Sequence, residues 1–482
     1  MSQVLLLGGG ISAFAAALDL AEVGVRVLIA DPVVRLPQVP VRRHGGEITA
    51  LLAEVAAPIA ADGPDSPEAA PRPLRTADVL LRARGGWAQS PERSVWGIPP
   101  VPLAKSCMAL LGTGGAFRAY LDRLKPVLTI GKEHNLGALV DSRLGRNARD
   151  TLVEPFVVEG FGVPSHAAEV ALVEAGLNEA LTRAGSLSGA AELQFEEHAA
   201  REQVIEPAGG WERFGELLVE RLRLFGAEVF EGEVASCVLE PDGRWAVTDA
   251  TGALQRFDAL IGELENVEAT ASHAAQATPV AWPRDEQADA DSTPLSLHAR
   301  LAALRPELTR QYAEFGIQGV PADIADGSDA LALIETEGGE SWAARIVSNA
   351  GGEAVLRLAG PARPNGEIGQ PPVPEALASL GVQQASGAIV THVTVAAPFA
   401  TDAARDRQRE AREMIAREYP TLILAGEDVH GGALGAALAE LRPAAVQLRR
   451  KLTGISEQRL WPLRGSQRRL YISKEECIGP WL

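Results

Sequence analysis

The start of the chain alternates apolar runs with a glycine turn and a helical pattern. Residues 4–7 form an unbroken apolar run, which is typical of a strand buried on both faces of a parallel sheet. Three glycines, residues 8–10, follow directly, and residues 14–21 carry apolar side chains at helical spacing. Residues 25–30, apolar except for Arg26, predict a second strand that ends in Asp31. The pattern predicts a strand–helix–strand unit with a glycine-rich first turn.

This first turn has the sequence G-x-G-x-x-A, which is typical of a dinucleotide-binding unit. Gly8 permits the tight turn, Gly10 lets the backbone approach a pyrophosphate, and Ala13 lets the helix pack closely on the strand. A pyrophosphate would there meet the free N–H groups and the positive dipole end of the helix. Asp31 is the acid expected to bind a ribose hydroxyl. The alternative is a glycine-rich turn in another kind of α/β protein.

The rest of the chain mixes helical, strand and loop patterns. Residues 103–188 are mostly helical in pattern, and a second α/β piece follows them. Residues 266–300 are rich in Ala, Asp and Pro, which indicates a connector. Residues 421–427 predict a strand that ends in an acid, followed by a glycine-rich turn and a helix over 433–452. Further strands are predicted over 77–84, 227–234, 235–240 and 245–248 and between 330 and 358.

The composition is that of a globular protein with a large core. The chain has 482 residues, of which 46% are hydrophobic and 22% charged, and this length suggests about three structural units. A net charge of −18 makes nucleic acid and anionic membrane surfaces poor general partners. The cysteines Cys107, Cys237 and Cys477 are few and far apart, which favours a reducing compartment. We therefore expect neither a disulfide framework nor a metal site.

The sequence carries no sign of membrane insertion or secretion. No apolar run is long enough to span a bilayer, so we expect no transmembrane segment, while peripheral membrane contact stays open. The first residues lack a basic cluster and a small-residue cleavage site, so we expect no signal peptide. These features together predict a cytoplasmic protein.

Several separated blocks resemble one superfamily of flavoproteins. The N-terminal turn, the block PAGGWERFGELLVERLRLFGAEVFEGEVASC and the block LILAGEDVHGGALGAALAELRPAA occur in the order found in amine oxidases, phytoene desaturases and protoporphyrinogen oxidases. Within this superfamily, the helical segments LGALVDSRLGRNARDTLVEPFVVEGFGVPSHAAEV and ALTRAGSLSGA resemble the protoporphyrinogen/coproporphyrinogen oxidases of haem biosynthesis. The segment GIPPVPLA fits the same branch.

The resemblance implies an α/β fold, α+β overall, made of three parts. A Rossmann-like FAD-binding domain is split along the chain, a mixed-sheet domain binds the substrate, and a helical domain is inserted. The implied ranges are 1–56, 204–265 and 390–453 for the FAD-binding domain, 74–102 and 266–389 for the substrate-binding domain, 103–203 for the helical domain and 454–482 for a C-terminal tail.

The resemblance also implies FAD, bound in an extended form, and a set of residues that contact it. The pyrophosphate would lie on the first turn, the backbone of Val234 would meet the adenine, and Glu427 would approach the ribityl chain or the pyrophosphate. The helix that begins near Leu434 would point its positive end at the flavin and favour the anionic reduced form. The implied cofactor-binding residues are Gly8, Gly10, Ile11, Ser12, Ala13, Asp31, Arg35, Val234, Gly426, Glu427 and Leu434.

The implied reaction oxidises a porphyrinogen, a small-molecule tetrapyrrole, with oxygen as the final acceptor and hydrogen peroxide as the product. The resemblance implies that the protein mainly positions the macrocycle and excludes water from it. The sequence identifies no catalytic acid or base. Arginines in the predicted substrate region could hold the propionates of the macrocycle, although a solvated surface is the ordinary place for an arginine. These candidates are Arg82, Arg84 and Arg93.

The chain departs from the family pattern next to the flavin site. After Asp31, the run R-L-G-G and a later D-x-G-A-E are absent, and residues 32–40 are rich in Pro instead. In the C-terminal block Leu441 and Pro443 replace a small residue and a helix former, and Pro443 is expected to kink its helix. Two alternatives therefore accompany the porphyrinogen oxidase. One is a related amine oxidase or carotenoid desaturase, and the other is a non-catalytic homologue with an impaired FAD site.

Overall fold

The computed structural model describes residues 2–59, 63–74, 77–83, 85–125, 133–271, 296–324, 327–348 and 354–453. The expected C-terminal tail, most of the expected connector, Arg84 and Cys477 lie outside these ranges.

The described residues form helices and strands throughout. The strands are β1 Gln3–Leu6, β2 Gly9–Gly10, β3 Arg26–Ile29, β4 Val34–Arg35, β5 Pro71–Pro73, β6 Val79–Ala83, β7 Gly86–Gln89, β8 Ile205–Pro207, β9 Glu228–Val229, β10 Val234–Leu239, β11 Trp245–Asp249, β12 Leu254–Phe257, β13 Ala259–Glu263, β14 Leu308–Gln318, β15 Asp329–Glu335, β16 Ser341–Ser348, β17 Ala354–Ala359, β18 Arg363–Pro364, β19 Gln383–Gln384, β20 Thr391–Ala396 and β21 Leu422–Ala425. The α-helices are α1 Ile11–Ala21, α2 Glu47–Ala56, α3 Lys105–Tyr120, α4 Leu136–Arg143, α5 Arg146–Ala148, α6 Glu154–Phe161, α7 Val170–Val173, α8 Leu177–Ala184, α9 Leu187–Glu202, α10 Gly210–Leu224, α11 Leu264–Ala271, α12 Leu297–Ala302, α13 Val373–Leu380, α14 Asp402–Glu418 and α15 Leu434–Leu452.

A five-stranded parallel sheet assembles strands from distant parts of the chain. Its order is β21-β13-β1-β3-β9, so β1 is central and each of its neighbours comes from a different segment. In register, Leu5 lies between Leu28 of β3 and Leu260 of β13, and Leu260 in turn pairs with Leu422 of β21. A parallel sheet built from crossovers is the core of a Rossmann-like fold. The predicted fold class is confirmed.

Both faces of this parallel sheet are covered, which explains its unbroken apolar sequences. Val4 and Leu6 point into one core with helices α1, α2, α10 and α15. Leu5 and Leu28 point into the opposite core with α11 and the antiparallel sheet β10-β11-β12. Successive side chains of a strand alternate between faces, so a strand covered on both sides needs an apolar residue at every position.

Helix α15 packs along α1 and remains one helix across Pro443. Both helices contribute to one apolar core, and the buried residues of α1 are mostly alanines, so a neighbouring helix can lie close to it. Arg442 next to the proline makes an ion pair of 2.6 Å with Asp19 of α1 and one of 2.7 Å with Glu54 of α2. The helix therefore runs from Leu434 to Leu452 although Pro443 lacks the N–H for its turn.

A second, mixed sheet is organised around β14. The order is β18-β14-β17-β16-β15-β6-β7, and β19 and β20 also pair with β14. The pair β15·β6 is parallel and the others are antiparallel. The helices between α3 and α9 share an apolar core with one face of this sheet. None of the helices in the described ranges has the length and apolar character needed to cross a bilayer.

A buried arginine joins the helical part to the mixed sheet. Arg310 of β14 is 0% exposed, and its guanidinium donates to the carbonyls of Val158, Glu159 and Gly160 at the end of α6, at 2.8–3.1 Å. Its Nε also donates to the carbonyl of Gly360 at 2.8 Å. The last carbonyls of a helix have no donor within the helix, and the helix dipole there favours a positive charge. A cation that donates hydrogen bonds to these carbonyls is therefore stabilising.

We expect Arg310→Met to lower the free energy of unfolding by about 3–5 kcal/mol, because each of these buried carbonyls loses the donor that Arg310 supplies. Chemical unfolding followed by circular dichroism measures the change. Arg407→Met is the matched control, since Arg407 is exposed and pairs with Glu307 at 2.6 Å, and its loss should leave the free energy of unfolding almost unchanged. Equal losses in the two variants would contradict the structural role given to Arg310.

Candidate functional site

The candidate site lies where the carboxyl ends of three parallel strands meet. The glycine turn follows β1, Glu263 ends β13, and Gly426 follows β21. Gly8 and Gly9 have φ values of +116° and +134°, which side chains of other residues rarely allow, so the turn itself requires glycine. In open parallel sheets of this kind, ligands bind outside the carboxyl ends of the strands.

The anion-binding position of the turn is taken by a side chain of the protein. The N–H of Gly10 donates to Oε1 of Glu263 at 2.7 Å, and Nη1 of Arg35 lies 2.9 Å from Oε2 of the same carboxylate. A Cβ on Gly9 would lie 2.8 Å from Cγ of Glu263, and a Cβ on Gly426 would lie 3.1 Å from it. The space that the glycines leave open is thus filled by Glu263, which is only 8% exposed.

The residues of this turn, as they stand, do not fit the pyrophosphate of FAD. A pyrophosphate at the start of α1 would need the N–H of Gly10 and the space beside Gly9, and the carboxylate of Glu263 uses both. Two anions cannot share one N–H group at this distance without strong repulsion. Binding of a dinucleotide at this turn therefore requires the side chain of Glu263 to move.

Sequence reasoning did not identify Glu263. The available signal was that β13, like the strands before Asp31 and Glu427, is an apolar run that ends in an acid. The partner of Glu263 is Gly10, which is 253 positions away in the sequence, so only the strand order of the sheet reveals the contact.

The segment after Asp31 lies directly on the glycine turn. Strand β4 pairs in parallel with β2, so Arg35 is level with Gly10. Val34 and Leu36 approach Gly215 of α10, where a Cβ would meet them at 3.3 and 3.5 Å. The stretch that replaces R-L-G-G thus forms a wall of its own beside the turn, and that wall supplies the cation that pairs with Glu263.

Three carboxyl groups make this edge of the sheet electrostatically unusual. Burial raises the pKa of Glu263, and the N–H of Gly10 and the charge of Arg35 only partly oppose that rise. Burial, together with the negative charges of Glu263 and Asp428, raises the pKa of Glu427 to about 7. A further negative group placed here would add to this repulsion.

Other predicted cofactor residues lie around the same edge. Ser12 Oγ accepts the N–H of Gly426 at 3.2 Å and so ties the start of α1 to the end of β21. Ile11 and Ala13 are buried in the core beneath the turn. Leu434 begins α15, where a Cβ on the adjacent Gly435 would lie 2.5 Å from Cβ of His44.

Two predicted cofactor residues stand apart from the contacts of Glu263. Asp31 lies beside the turn, where a Cβ on Gly8 would be 3.0 Å from its Cβ, and its Oδ1 accepts the N–H of Val33 at 3.0 Å. Val234 begins β10 and pairs with Asp249 in the antiparallel three-stranded sheet. Their proposed contacts with ribose and adenine stay predictions.

Two of the three arginines considered for the substrate, Arg82 and Arg93, have partners within the protein. Arg93 pairs with Glu192 and Glu196 at 3.2 and 2.9 Å, and its guanidinium stacks 4.4 Å from the ring centre of Phe195. Arg82 lies over the ring of Trp87, 5.3 Å from its centre. In the parts of the chain that the structure describes, no group of His, Cys, Asp and Glu has the arrangement of a metal site.

Comparisons with known proteins relate the chain to others by fold. No protein-family model and no curated protein matches it. A solved structure described as a candidate protoporphyrinogen oxidase from Exiguobacterium sp. 255-15 is 17% identical, with a TM-score of 0.67 over 93% of this chain and 99% of that chain. Reduced UDP-galactopyranose mutase is 11% identical, with a TM-score of 0.54 over 94% of each chain.

A third solved structure, an oxidoreductase from Methanosarcina mazei, is 12% identical, with a TM-score of 0.53 over 92% of this chain and 99% of that chain. At such identities the similarity establishes a shared fold. The chain therefore has the Rossmann-like α/β fold of these proteins over nearly its whole length.

We expect Glu427→Gln to flatten the pH dependence of stability. In the unfolded chain a Glu ionises at its ordinary pKa, whereas Glu427 in the fold ionises near pH 7, so the native form loses stability as the pH rises from about 4.5 to about 7. Removing the charge should recover about 1–3 kcal/mol of unfolding free energy at pH 8 and almost none at pH 4.5. Chemical unfolding at several pH values measures this.

The control is Glu367→Gln, because Glu367 is exposed in a turn. Its unfolding curves should follow those of the original protein at every pH. A gain for Glu427→Gln that is the same at pH 4.5 and pH 8 would show that its charge is not the cause.

Proposed function

We propose that the chain is an FAD-dependent oxidoreductase that oxidises a porphyrinogen, coproporphyrinogen III or protoporphyrinogen IX, with oxygen as acceptor. The observation that carries the proposal is the meeting of separated blocks at one sheet edge. Ser12 in the first block bonds to Gly426 in the last, 414 positions away. Both blocks belong to the sequence pattern that resembles the superfamily of amine oxidases, phytoene desaturases and protoporphyrinogen oxidases, and the helical segments resemble the porphyrinogen oxidases within it. The fold of a candidate protoporphyrinogen oxidase spans almost the full chain.

The proposal assigns separate tasks to the parts of the molecule. The parallel sheet with its glycine turn and α15 would hold FAD, in contact with the predicted cofactor residues. The mixed sheet and the helices packed on it would hold the tetrapyrrole and keep water away from it. The proposed setting is the cytoplasm, with oxygen and a tetrapyrrole as the small-molecule partners. For FAD to bind, Glu263 has to leave Gly10.

The second candidate function is that of a non-catalytic homologue. The contact of Glu263 with Gly10 favours this candidate, because a turn satisfied by its own carboxylate gains nothing from holding a cofactor. The two candidates differ in flavin binding. A purified protein that shows flavin absorbance, or takes up FAD on reconstitution, supports the oxidoreductase, and a colourless protein that cannot be reconstituted supports the homologue.

Given flavin, turnover separates the possible substrates. We expect oxygen uptake and the appearance of fluorescent porphyrin with coproporphyrinogen or with protoporphyrinogen. Each porphyrinogen is prepared without oxygen and then added to the protein in an aerated assay. Oxidation of an amine or a carotenoid precursor in place of either porphyrinogen would contradict the proposed substrate class and favour a related flavin oxidoreductase.

The position of the cofactor is tested by Gly10→Ala, which we expect to lower FAD affinity at least about tenfold. The added Cβ would lie 3.3 Å from the carbonyl oxygen of Arg35 and 2.9 Å from Oε1 of Glu263, in the space that a pyrophosphate needs. Gly114→Ala is the control, since a Cβ there meets nothing within 4 Å. Equal FAD affinity in the two variants, measured by titration, would place the cofactor elsewhere.

A further inference from the structure

We infer that Glu263 is a built-in competitor for the pyrophosphate of the cofactor and that it sets the affinity of the chain for FAD. This inference rests on the proposed function. The carboxylate does at the glycine turn what a bound pyrophosphate does, and the protein binds FAD only when the side chain has moved away.

The first argument is that Glu263 completes the start of α1. The helix begins after Gly10, its cap makes no side-chain hydrogen bond, and its first turn carries no acidic residue. The N–H groups at a helix start need acceptors, and the dipole there favours a negative charge. Glu263 supplies both from β13, with a hydrogen bond of 2.7 Å. Without a cofactor, the N–H of Gly10 therefore already has a negatively charged acceptor.

The second argument is that the competitor and the pyrophosphate need the same partners. Besides the N–H of Gly10, the carboxylate takes the guanidinium of Arg35, which is also among the predicted cofactor residues. It fills the space next to Gly9 and Gly426 that only the absence of a side chain provides. When Glu263 swings out, all of these become available together, so the exchange is between two alternatives and not a simultaneous occupation.

The third argument is that the surrounding negative charges repel a pyrophosphate and so do not help it to displace Glu263. Glu427 and Asp428 from the end of β21 and Glu265 from α11 face the same region, and Arg35 is shared between Glu263 and Glu265, at 2.9 and 3.4 Å. A cofactor that arrives with Glu263 still ionised nearby meets this negative field. FAD can bind only those molecules in which Glu263 has left the turn, so the apparent affinity equals the intrinsic affinity multiplied by their fraction.

The experiment measures FAD affinity in the full chain, after removal of any flavin, for three variants. Glu263→Ala should bind FAD roughly 10- to 100-fold more tightly than the original protein, because the competing carboxylate is gone. Glu263→Gln keeps the shape and loses the charge, so it should gain affinity by a smaller factor. Glu367→Gln, which removes an exposed carboxylate that has no part in the contacts of the glycine turn, should change affinity by less than about threefold.

Two further probes show which part of the cofactor competes. ADP carries the pyrophosphate without the flavin, so Glu263→Ala should tighten ADP binding by a factor similar to that for FAD. Riboflavin carries the flavin without phosphate, so its binding should not change. The apo form of Glu263→Ala should also melt at a lower temperature than the original, since the N–H of Gly10 loses its acceptor.

The outcomes separate this inference from the proposed function. Equal FAD affinity in the original protein and in both Glu263 variants overturns the inference and leaves the proposed function intact. Tighter binding of FAD and ADP in the variants, with no porphyrinogen oxidation in any form, supports the competitor and overturns the proposed function. Absence of FAD and ADP binding in every form overturns both. Glu263→Gln keeps the test valid if Glu263→Ala does not fold.

Discussion

The pairing of β1 with β3 on one side and with β13, a strand from a distant segment, on the other is the constraint on which the site depends. Leu6 is level with Ile261, so position 263 of β13 is level with the first glycine of the turn. A slip of one residue in this register would exchange the side chains of β1 between the two cores. Both cores are close-packed around the present side chains, so the exchanged ones would not fit. The same packing that fixes the core therefore fixes the carboxylate of Glu263 against the turn.

Burial of the Glu263 carboxylate has an energetic cost, and its contacts at the turn offset that cost. A carboxylate that is almost fully buried loses its hydration, which raises the pKa of Glu263. The offsetting contacts are a charge-assisted hydrogen bond from Gly10, the ion pair with Arg35 and a helix start whose dipole faces a negative charge. A glycine turn is built to bring backbone N–H groups close to an anion. The anion here is a side chain of the protein itself, so the turn has its acceptor even without a cofactor.

The sequence alone could predict the individual strands and helices but not which strands pair in one sheet. The unbroken apolar run of β1, the glycine turn and the helical spacing of α1 are local signals, and the structure confirms them. Residues 227–234 read as one strand, yet the structure divides them into β9 of the parallel sheet and the start of β10 in another sheet. The division falls near Gly232, whose φ of +116° turns the chain, and composition does not reveal such a turn.

The replacement of the segment after Asp31 and the presence of Glu263 belong to one arrangement. By sequence, the loss of R-L-G-G is a defect in a flavin site, because a glycine pair that wraps a phosphate is gone. In the structure the replacing residues form β4, pair with the glycine turn and carry Arg35 to Glu263. Arg35 was predicted to serve the cofactor, and it is the residue that holds the competitor in place. The wall of the site and the group inside it thus depend on each other, so removal of the carboxylate frees the arginine and the turn in one step. Under the proposed function, the position of this one side chain decides whether the glycine turn is open to a cofactor.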